Sequence, residues 1–236
     1  MQNPILENLL TLSHELGREE RGLAILGEGN TSALLGDKTF LIKASGSSVA
    51  NLKPEDAVEC RFSALLPLLD NESLTGAEVG DALIAARVDL KAKKPSAEVI
   101  AHAWLLTQPG VKFVARAHAT AVSQILCSPR AGDFSRRRMF PTEVFCCGPA
   151  SVLVPYAPPG LKLARAIRAG TEAFLQQWQK PPQVILIQNQ GIITLGPTWQ
   201  SVLAAMLMAE KAARIFLGAT ALGGPVFLSP EEVAAL

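Results

Sequence analysis

Small and polar residues form turns at three places in this sequence where an anion could bind. Gly27-Glu28-Gly29-Asn30-Thr31-Ser32 and Ser45-Gly46-Ser47-Ser48 both follow short apolar runs, and Ser96 comes at the predicted start of a helix. Glycine lets the backbone approach a ligand closely, and free amides together with hydroxyl groups bind phosphate. A helix N-terminus adds further amides and the positive end of the helix dipole. Each turn alone is only a turn, but the three together favour a phosphate-binding site.

Glu98, His102 and His118 are the titratable residues that could act beside such a site. Glu98 precedes His102 by four residues, which places both on one face of the predicted helix. A glutamate in the first helical turn is usually a cap that complements the helix dipole, and the functional alternative is a general base or a metal ligand. His118 ends the apolar run 113–117, where a histidine can be a hydrogen-bonded structural residue or a functional one.

The histidines and cysteines do not by themselves predict a metal centre. The chain has three histidines and no HxH, HxxxH or HExxH pattern, and His14 lies in the first predicted helix, far in sequence from the other two. The four cysteines include no CxxC spacing, and the adjacent Cys146 and Cys147 cannot easily form a disulfide with each other. We therefore expect reduced thiols and a reducing compartment.

The composition sets the broad class of the protein. With 236 residues, of which 49% are hydrophobic, the chain can bury the core of one large domain, which we expect to span residues 1–236. Its formal net charge of +1 leaves no long-range field to hold nucleic acid or an anionic membrane. No signal peptide and no uninterrupted apolar run of membrane-spanning length is evident. We therefore expect a cytoplasmic protein that binds neither nucleic acid nor membrane.

Apolar periodicity and turn residues predict helices that alternate with short strands. Helices are predicted over 5–16, 75–86, 95–107, 119–127, 160–179 and 198–217. Strands are predicted over 112–117, 144–147, 151–154, 184–188 and 192–195, and the turn Gly36-Asp37 predicts a hairpin of 33–35 with 39–43. The segment 54–62 stays open between helix and strand, and 128–139 is expected to be an arginine-bearing loop. This order predicts a layered α/β domain with a mixed, largely antiparallel sheet.

Seven short motifs along the chain carry a family resemblance. They are Gly29-Asn30-Thr31-Ser32, Lys43-Ala44-Ser45-Gly46, Pro95-Ser96-Ala97-Glu98, Arg116-Ala117-His118, Phe140-Pro141-Thr142-Glu143, Val154-Pro155-Tyr156 and Asn189-Gln190-Gly191. In this order they resemble the class II aldolase/adducin family over about residues 6 to 217. The first and fifth motifs, with Cys147-Gly148-Pro149-Ala150 following, are most similar to the rhamnulose-phosphate aldolase-like branch.

This resemblance implies a fold, a cofactor and a set of site residues. It implies a three-layer α/β/α fold and a homotetramer with sites at subunit interfaces. It also implies a divalent metal, usually zinc, that polarises a ketose phosphate while a glutamate acts as acid/base. The glutamate would be Glu98. The residues of the phosphate-binding turns would be Gly29, Asn30, Thr31, Ser45, Gly46 and Ser96.

The sequence departs from the family pattern at the metal ligands. The family's His-x-His pair falls on Arg116-Ala117-His118, and its Asn-His-Gly ligand falls on Asn189-Gln190-Gly191. Arginine has no lone pair to donate and keeps its charge, and a glutamine amide oxygen is a poor ligand for zinc. His118 and Glu98 remain as candidate metal ligands, with Gln190 at the position of a lost ligand. A divalent metal is therefore implied by the resemblance, whereas the residues present predict an eroded site.

Two functions from different classes follow from these residues. The first is a class II aldolase-like lyase that cleaves a small phosphorylated or otherwise anionic sugar derivative, with Glu98 as acid/base. Arg116 and His118 would form its polar centre, where the guanidinium binds a carboxylate or enolate oxygen or forms an ion pair with a nearby carboxylate. The second is a catalytically inactive family member that binds a small molecule or serves as a scaffold. In either case we expect Arg116, His118 and Gln190 to line one pocket.

Overall fold

The computed structural model describes residues 3–236. The α-helices are α1 (Pro4–Leu16), α2 (Phe62–Leu65), α3 (Gly76–Ala85), α4 (Val99–Leu106), α5 (Thr120–Leu126), α6 (Ala131–Arg136), α7 (Pro141–Cys147), α8 (Leu161–Trp178), α9 (Trp199–Ala221) and α10 (Pro230–Ala234). The strands are β1 (Asn30–Leu34), β2 (Thr39–Lys43), β3 (Ala57–Arg61), β4 (Phe113–Ala117), β5 (Val152–Val154), β6 (Val184–Ile187) and β7 (Gly191–Gly196). None of these described helices has the length and apolar character that a membrane crossing requires.

The seven strands form one mixed sheet in the order β3-β2-β1-β4-β7-β6-β5. Every neighbouring pair is antiparallel except β5 and β6, which run parallel. This confirms the predicted mixed, largely antiparallel sheet. The hairpin predicted around Gly36-Asp37 is β1–β2, in which Leu34 pairs with Phe40.

Helices cover both faces of the sheet and form two separate hydrophobic cores. One core includes Leu12 of α1, Val122 of α5 and Met206 of α9, and the other includes Leu105 of α4 and Ile167 of α8. Side chains alternate between the two faces along each strand, so every strand contributes to both cores. The structure therefore has the three α/β/α layers that the family resemblance implies.

Three predictions of local structure are wrong. The segment 144–147, predicted as a strand, belongs to the helix α7, which has Pro141 in its first turn, where proline favours a helix. The predicted loop 128–139 contains α6, and the side chain of Arg138 after it is almost fully buried. The helix expected from Pro95 begins only at Val99. In the open segment 54–62, a 3₁₀ turn precedes the strand β3.

The four cysteines carry free thiols. Cys60 and Cys147 are buried, and burial raises the pKa of each thiol to about 12. Both therefore remain protonated at neutral pH and pack as small apolar residues. Cys127 is exposed and Cys146 is half-buried.

Candidate functional site

The ends of several elements bring the candidate residues to one side of the sheet. Asn30 at the start of β1 pairs with Arg116 of β4. Since β4 also pairs with β7, Gln190, which immediately precedes β7, lies beside the end of β4. Val114 belongs to the core under α4 and α8, so alternation places the Arg116 side chain on that same face. Glu98 immediately precedes α4, which packs on this face.

Glu98 and Arg116 form a buried ion pair. Arg116 Nη1 contacts Glu98 Oε1, and the two side chains are only 9% and 10% exposed. Asn30 Nδ2 donates to the second carboxylate oxygen, Oε2, over 3.0 Å. Glu98 occupies the cap position of α4, but its side chain makes no capping hydrogen bond. Glu98 thus stands at the start of the helix as expected, but its carboxylate is held by a charged guanidinium and an amide.

Gln190 completes the environment of the guanidinium. Arg116 Nη2 donates to Gln190 Oε1 over 3.2 Å, and the Gln190 amide nitrogen donates to the Ala157 carbonyl oxygen. Burial lowers the pKa of Arg116 to about 10, so the side chain stays cationic at neutral pH. Arg116 thus forms an ion pair with a nearby carboxylate, which was one of the two arrangements open from the sequence.

His118 pairs with a carboxylate that the sequence reasoning missed. His118 Nδ1 lies 3.2 Å from Glu28 Oε1, and both side chains are partly exposed. Glu28 stands between Gly27 and Gly29, whose φ angles are 81° and 92°. The negative charge of Glu28 is the signal that could have identified it, because a carboxylate in the middle of the turn would repel a bound phosphate. A cationic partner such as a histidine is the better match for it.

Arg116, His118 and Gln190 line one cavity of about 400 Å³. The other residues that line it are Ser123, Cys127, Tyr156, Pro159 and Asn189. The structure thus brings together three side chains that lie far apart in sequence, as expected from their motifs. Glu98 and Glu28 adjoin this cavity through their contacts with Arg116 and His118.

Most candidate phosphate-binding residues come close to one another through backbone pairing. Ser96 N donates to the Lys43 carbonyl oxygen over 3.2 Å, and Ser45 N donates to the Lys94 carbonyl oxygen over 2.8 Å. The segment before α4 therefore runs beside the turn that contains Ser45 and Gly46, and both of these residues are exposed. The amide of Asn30 approaches from β1 through its bond to Glu98.

The backbone structure alone explains why position 29 is a glycine, without any bound ligand. A Cβ atom there would lie 2.8 Å from the Arg116 carbonyl oxygen, and its φ of 92° disfavours other residues. A side chain at this position would push β1 away from β4.

Thr31 and His102 are not part of the site. The Thr31 hydroxyl is buried and lies 2.6 Å from Ser13 Oγ on α1, which covers the other face of the sheet. His102 is fully buried, with Nδ1 2.7 Å from Ser32 Oγ, and burial lowers its pKa to about 3. His102 is thus a neutral core residue.

The candidate metal ligands have protein partners. His118 faces Glu28, and Glu98 faces Arg116. Among residues 3–236, no group of three or more His, Cys, Asp or Glu side chains is arranged to hold a metal ion.

Gly191 lets the turn that carries Gln190 close against β4, and its replacement by alanine should destabilise the protein. Its φ is 119°, and a Cβ atom would lie 2.4 Å from the Ala117 carbonyl oxygen. We expect Gly191→Ala to lower the free energy of unfolding in urea by about 1–3 kcal/mol, the usual cost of a strained backbone. The control is Gly218→Ala in α9, where an added Cβ atom would meet nothing within 4 Å. This substitution should stabilise the helix by roughly 0.5–1 kcal/mol. Equal effects of the two substitutions would contradict the prediction.

Known proteins resemble this chain in sequence. A model of the family described as Class II Aldolase and Adducin N-terminal domain matches residues 7–217. The uncharacterized oxidoreductase YuxG of Bacillus subtilis (strain 168) is 25% identical over 218 residues, which cover 87% of this chain and 29% of that protein. The 3-oxo-tetronate 4-phosphate decarboxylase of Escherichia coli (strain K12) is 28% identical over 197 residues, which cover 83% and 79%. The chain thus matches well under half of the Bacillus relative and most of the Escherichia one.

A solved structure shares the fold. The N-terminal class II aldolase domain of a conserved protein from Thermoplasma acidophilum matches with a TM-score of 0.73 and 23% identity, covering 92% of this chain and 95% of that one. The arrangement of sheet and helices described above is therefore that of a class II aldolase domain.

Proposed function

Because the chain belongs to the class II aldolase and adducin family, we propose that it is an aldehyde lyase of the class II aldolase type. Its substrate would be a small sugar phosphate or a related anionic ketose. The name of the Escherichia relative supports a phosphorylated substrate, and so do the neighbouring small-residue turns that contain Ser45 and Ser96. By family resemblance the protein would be a cytoplasmic homotetramer.

The observation that carries this proposal is the Arg116–Glu98 pair beside the 400 Å³ cavity. Retro-aldol cleavage breaks a carbon–carbon bond and leaves an enolate, whose negative oxygen needs a fixed positive charge. Arg116, nine-tenths buried and cationic at neutral pH, supplies such a charge. Glu98 would carry the proton to and from the enolate carbon as acid/base. The carboxylate must part from Arg116 during this step, which frees the guanidinium for the enolate oxygen.

The residues present do not fit a zinc ion. Class II aldolases generally use a divalent metal, which acts as a Lewis acid on the substrate oxygens. Catalytic zinc takes three protein ligands drawn from imidazole, thiolate and carboxylate groups. Here the only imidazole in the lining, that of His118, stands beside a guanidinium and an amide, and it is paired with Glu28, while Glu98 is paired with the guanidinium. Among residues 3–236, these groups and the thiol of Cys127 form no cluster of three that could hold a metal ion. We therefore propose that the metal site is eroded and that Arg116 provides the positive charge.

Glu98→Gln tests the proposed acid/base. The amide keeps the size of the side chain but cannot transfer protons, so we expect kcat for retro-aldol cleavage to fall by about a hundredfold or more. The assay uses a panel of ketose phosphates and phosphorylated 3-oxo sugar acids. The control is Glu143→Gln, since Glu143 is also buried beside an arginine, Arg138, and neither of these residues lines the cavity. Unchanged turnover in Glu98→Gln would overturn the assignment.

Metal analysis tests the remaining part of the proposal. Protein purified without chelators should contain less than stoichiometric zinc, and a chelator should leave cleavage unchanged. Stoichiometric zinc, or activity that the chelator removes and zinc restores, would overturn the eroded site while leaving the lyase assignment in place.

A catalytically inactive binding or scaffolding protein is the second candidate. The observation that favours it is that both oxygens of Glu98 already have partners, Arg116 and Asn30. In that case no member of the panel would be cleaved, although a phosphorylated ligand would still raise the Tm. Turnover of any panel member that depends on Glu98 would exclude it.

A further inference from the structure

We propose that Glu28 and His118 form a carboxylate–imidazole pair that removes the proton from the substrate hydroxyl, with Glu28 as the positioning residue. This inference rests on the proposed lyase function and assigns the second proton transfer that a retro-aldol cleavage needs. Glu98 serves the carbon end of the broken bond, and His118 would serve the hydroxyl end.

The fold holds Glu28 against His118 through more than one contact. The backbone amide of His118 donates to the Leu23 carbonyl oxygen over 3.0 Å, which ties the end of β4 to the segment before the glycine turn. Within that segment, Glu28 N donates to the Ile25 carbonyl oxygen over 3.0 Å. The carboxylate then reaches the imidazole, with Oε1 3.2 Å from Nδ1. The backbone thus brings the two residues together, and the contact itself is made by the side chain of Glu28, which is 42% exposed.

The contact with Glu28 selects the tautomer of His118. A carboxylate only accepts hydrogen bonds when it is ionised, so the Nδ1 atom carries the proton and donates to Glu28. The lone pair of the neutral ring is then on Nε2. A neutral imidazole in this tautomer can accept the proton of a hydroxyl at Nε2, while the carboxylate stabilises the imidazolium that forms.

Two buried atoms at this site lack hydrogen-bond partners. Across the described residues 3–236, the buried side-chain nitrogens without a partner are His118 Nε2, Arg116 Nε and His102 Nε2. The first two belong to side chains that are two residues apart and line the same cavity. Buried polar atoms in native proteins nearly always have a partner, so these two indicate a missing one. In the proposed step, a substrate hydroxyl in this cavity would donate to His118 Nε2.

The proposed step needs no co-reactant. His118 Nε2 takes the hydroxyl proton, the electrons of the O–H bond form the new carbonyl, and the carbon–carbon bond breaks. Its electron pair moves onto the neighbouring carbonyl and gives an enolate, whose oxygen Arg116 neutralises. The Glu98 carboxylate takes one proton from water and passes it to the enolate carbon. His118 returns its proton to the hydroxide so formed, so a single substrate gives two carbonyl products.

The matched variants Glu28→Gln and Glu28→Asp separate this role from the role of Glu98. Two reactions are measured on each protein: cleavage of a ketose phosphate, and exchange of the carbon-bound proton of dihydroxyacetone phosphate with deuterium oxide. Cleavage needs the hydroxyl base, whereas exchange needs only Arg116 and the acid/base at carbon. We expect Glu28→Gln to lower kcat for cleavage by about ten- to a hundredfold, as the loss of a group that orients a catalytic histidine does, with exchange unchanged. Glu28→Asp should recover part of the cleavage rate, and Glu98→Gln should abolish exchange.

A spectroscopic readout shows whether Glu28 acts through the imidazole. The ring nitrogen shifts of His118 in ¹⁵N NMR can be assigned with His118→Gln, because the chain has only three histidines. The wild type should show the form protonated at Nδ1, and Glu28→Ala should shift the population toward the form protonated at Nε2. The control is Glu20→Gln, a 70% exposed carboxylate in the preceding turn, which should change neither the spectrum nor the rates.

The outcomes distinguish this inference from the function on which it rests. If the wild type cleaves ketose phosphates but Glu28→Gln cleaves them equally fast, or loses cleavage and exchange to the same extent, the dyad is wrong and the lyase stands. If the wild type shows neither cleavage nor exchange, the proposed function itself fails, and the dyad assignment fails with it.

Discussion

The double variant Arg116→His/Gln190→His should bind zinc more tightly than the wild type, since three imidazoles around one cavity form a catalytic-type zinc site. Arg116→His removes a charge that repels a cation and also frees the Glu98 carboxylate. Gln190→His replaces a poor ligand with a good one. Together with His118, the double variant has the three nitrogen ligands that the family pattern contains.

The geometry supports this expectation because the three residues line one cavity. Arg116 Nη2 lies 3.2 Å from Gln190 Oε1, and His118 lines the same cavity. Zinc affinity would be measured by titration against a competing chelator, with each single variant as a control. Each single variant has two imidazoles and should fall between the wild type and the double variant. A double variant that binds zinc no better than the wild type would show that positions 116 and 190 do not correspond to the metal ligands of the family.

Arg138→Met should cost about 3–5 kcal/mol in the free energy of unfolding, the usual cost of removing one partner of a buried charge pair. The Arg138 side chain is 2% exposed and bonds a set of backbone and side-chain oxygens. Its Nε donates to the Gly148 carbonyl oxygen over 2.8 Å, and its Nη2 donates to Ser151 Oγ over 2.8 Å. Glu143, also 2% exposed, lies with Oε1 4.0 Å from Nη1. Methionine would leave these oxygens without donors and this carboxylate without a charge partner.

The measurement is chemical unfolding of the matched variants Arg138→Met, Arg138→Lys and Arg138→Met/Glu143→Gln. Burial raises the pKa of Glu143 and thus disfavours its charge, which the guanidinium offsets. Removing both charges should therefore recover part of the stability lost in the single variant. Lysine keeps the charge but not the planar set of donors, so it should lose an intermediate amount. A loss below about 1 kcal/mol in Arg138→Met would contradict the prediction, because it would mean that this buried pair contributes no more to stability than a surface ion pair does.

Periodic patterns made much of the fold predictable. The apolar run 113–117 and the hairpin around Gly36-Asp37 became β4 and β1–β2, because alternation and turn chemistry act over a few residues. The segments around α6 and α7 were misassigned. There the buried contacts of Arg138 and Glu143 with the surrounding backbone stabilise two short helices, and such contacts join residues that no local pattern connects.

The site was predicted only in part for the same reason. The motifs located Arg116, His118 and Gln190, and the structure places them around one cavity. Glu28 was missed because its partner is 90 positions away in sequence and meets it only where the glycine turn reaches the end of β4. Thr31 was included because it belongs to a motif, but strand alternation turns its hydroxyl toward α1.

The sequence by itself determined the family, the layered α/β architecture and the residues that stand where metal ligands would be expected. These depend on residue types and their order, which are read directly along the chain. The tertiary structure alone decided how those residues are used: that Arg116 holds Glu98, that Glu28 faces His118, and that His102 is a core residue. Charge pairing and burial are properties of distance in space, and distances between residues far apart in sequence are set only when the chain has folded.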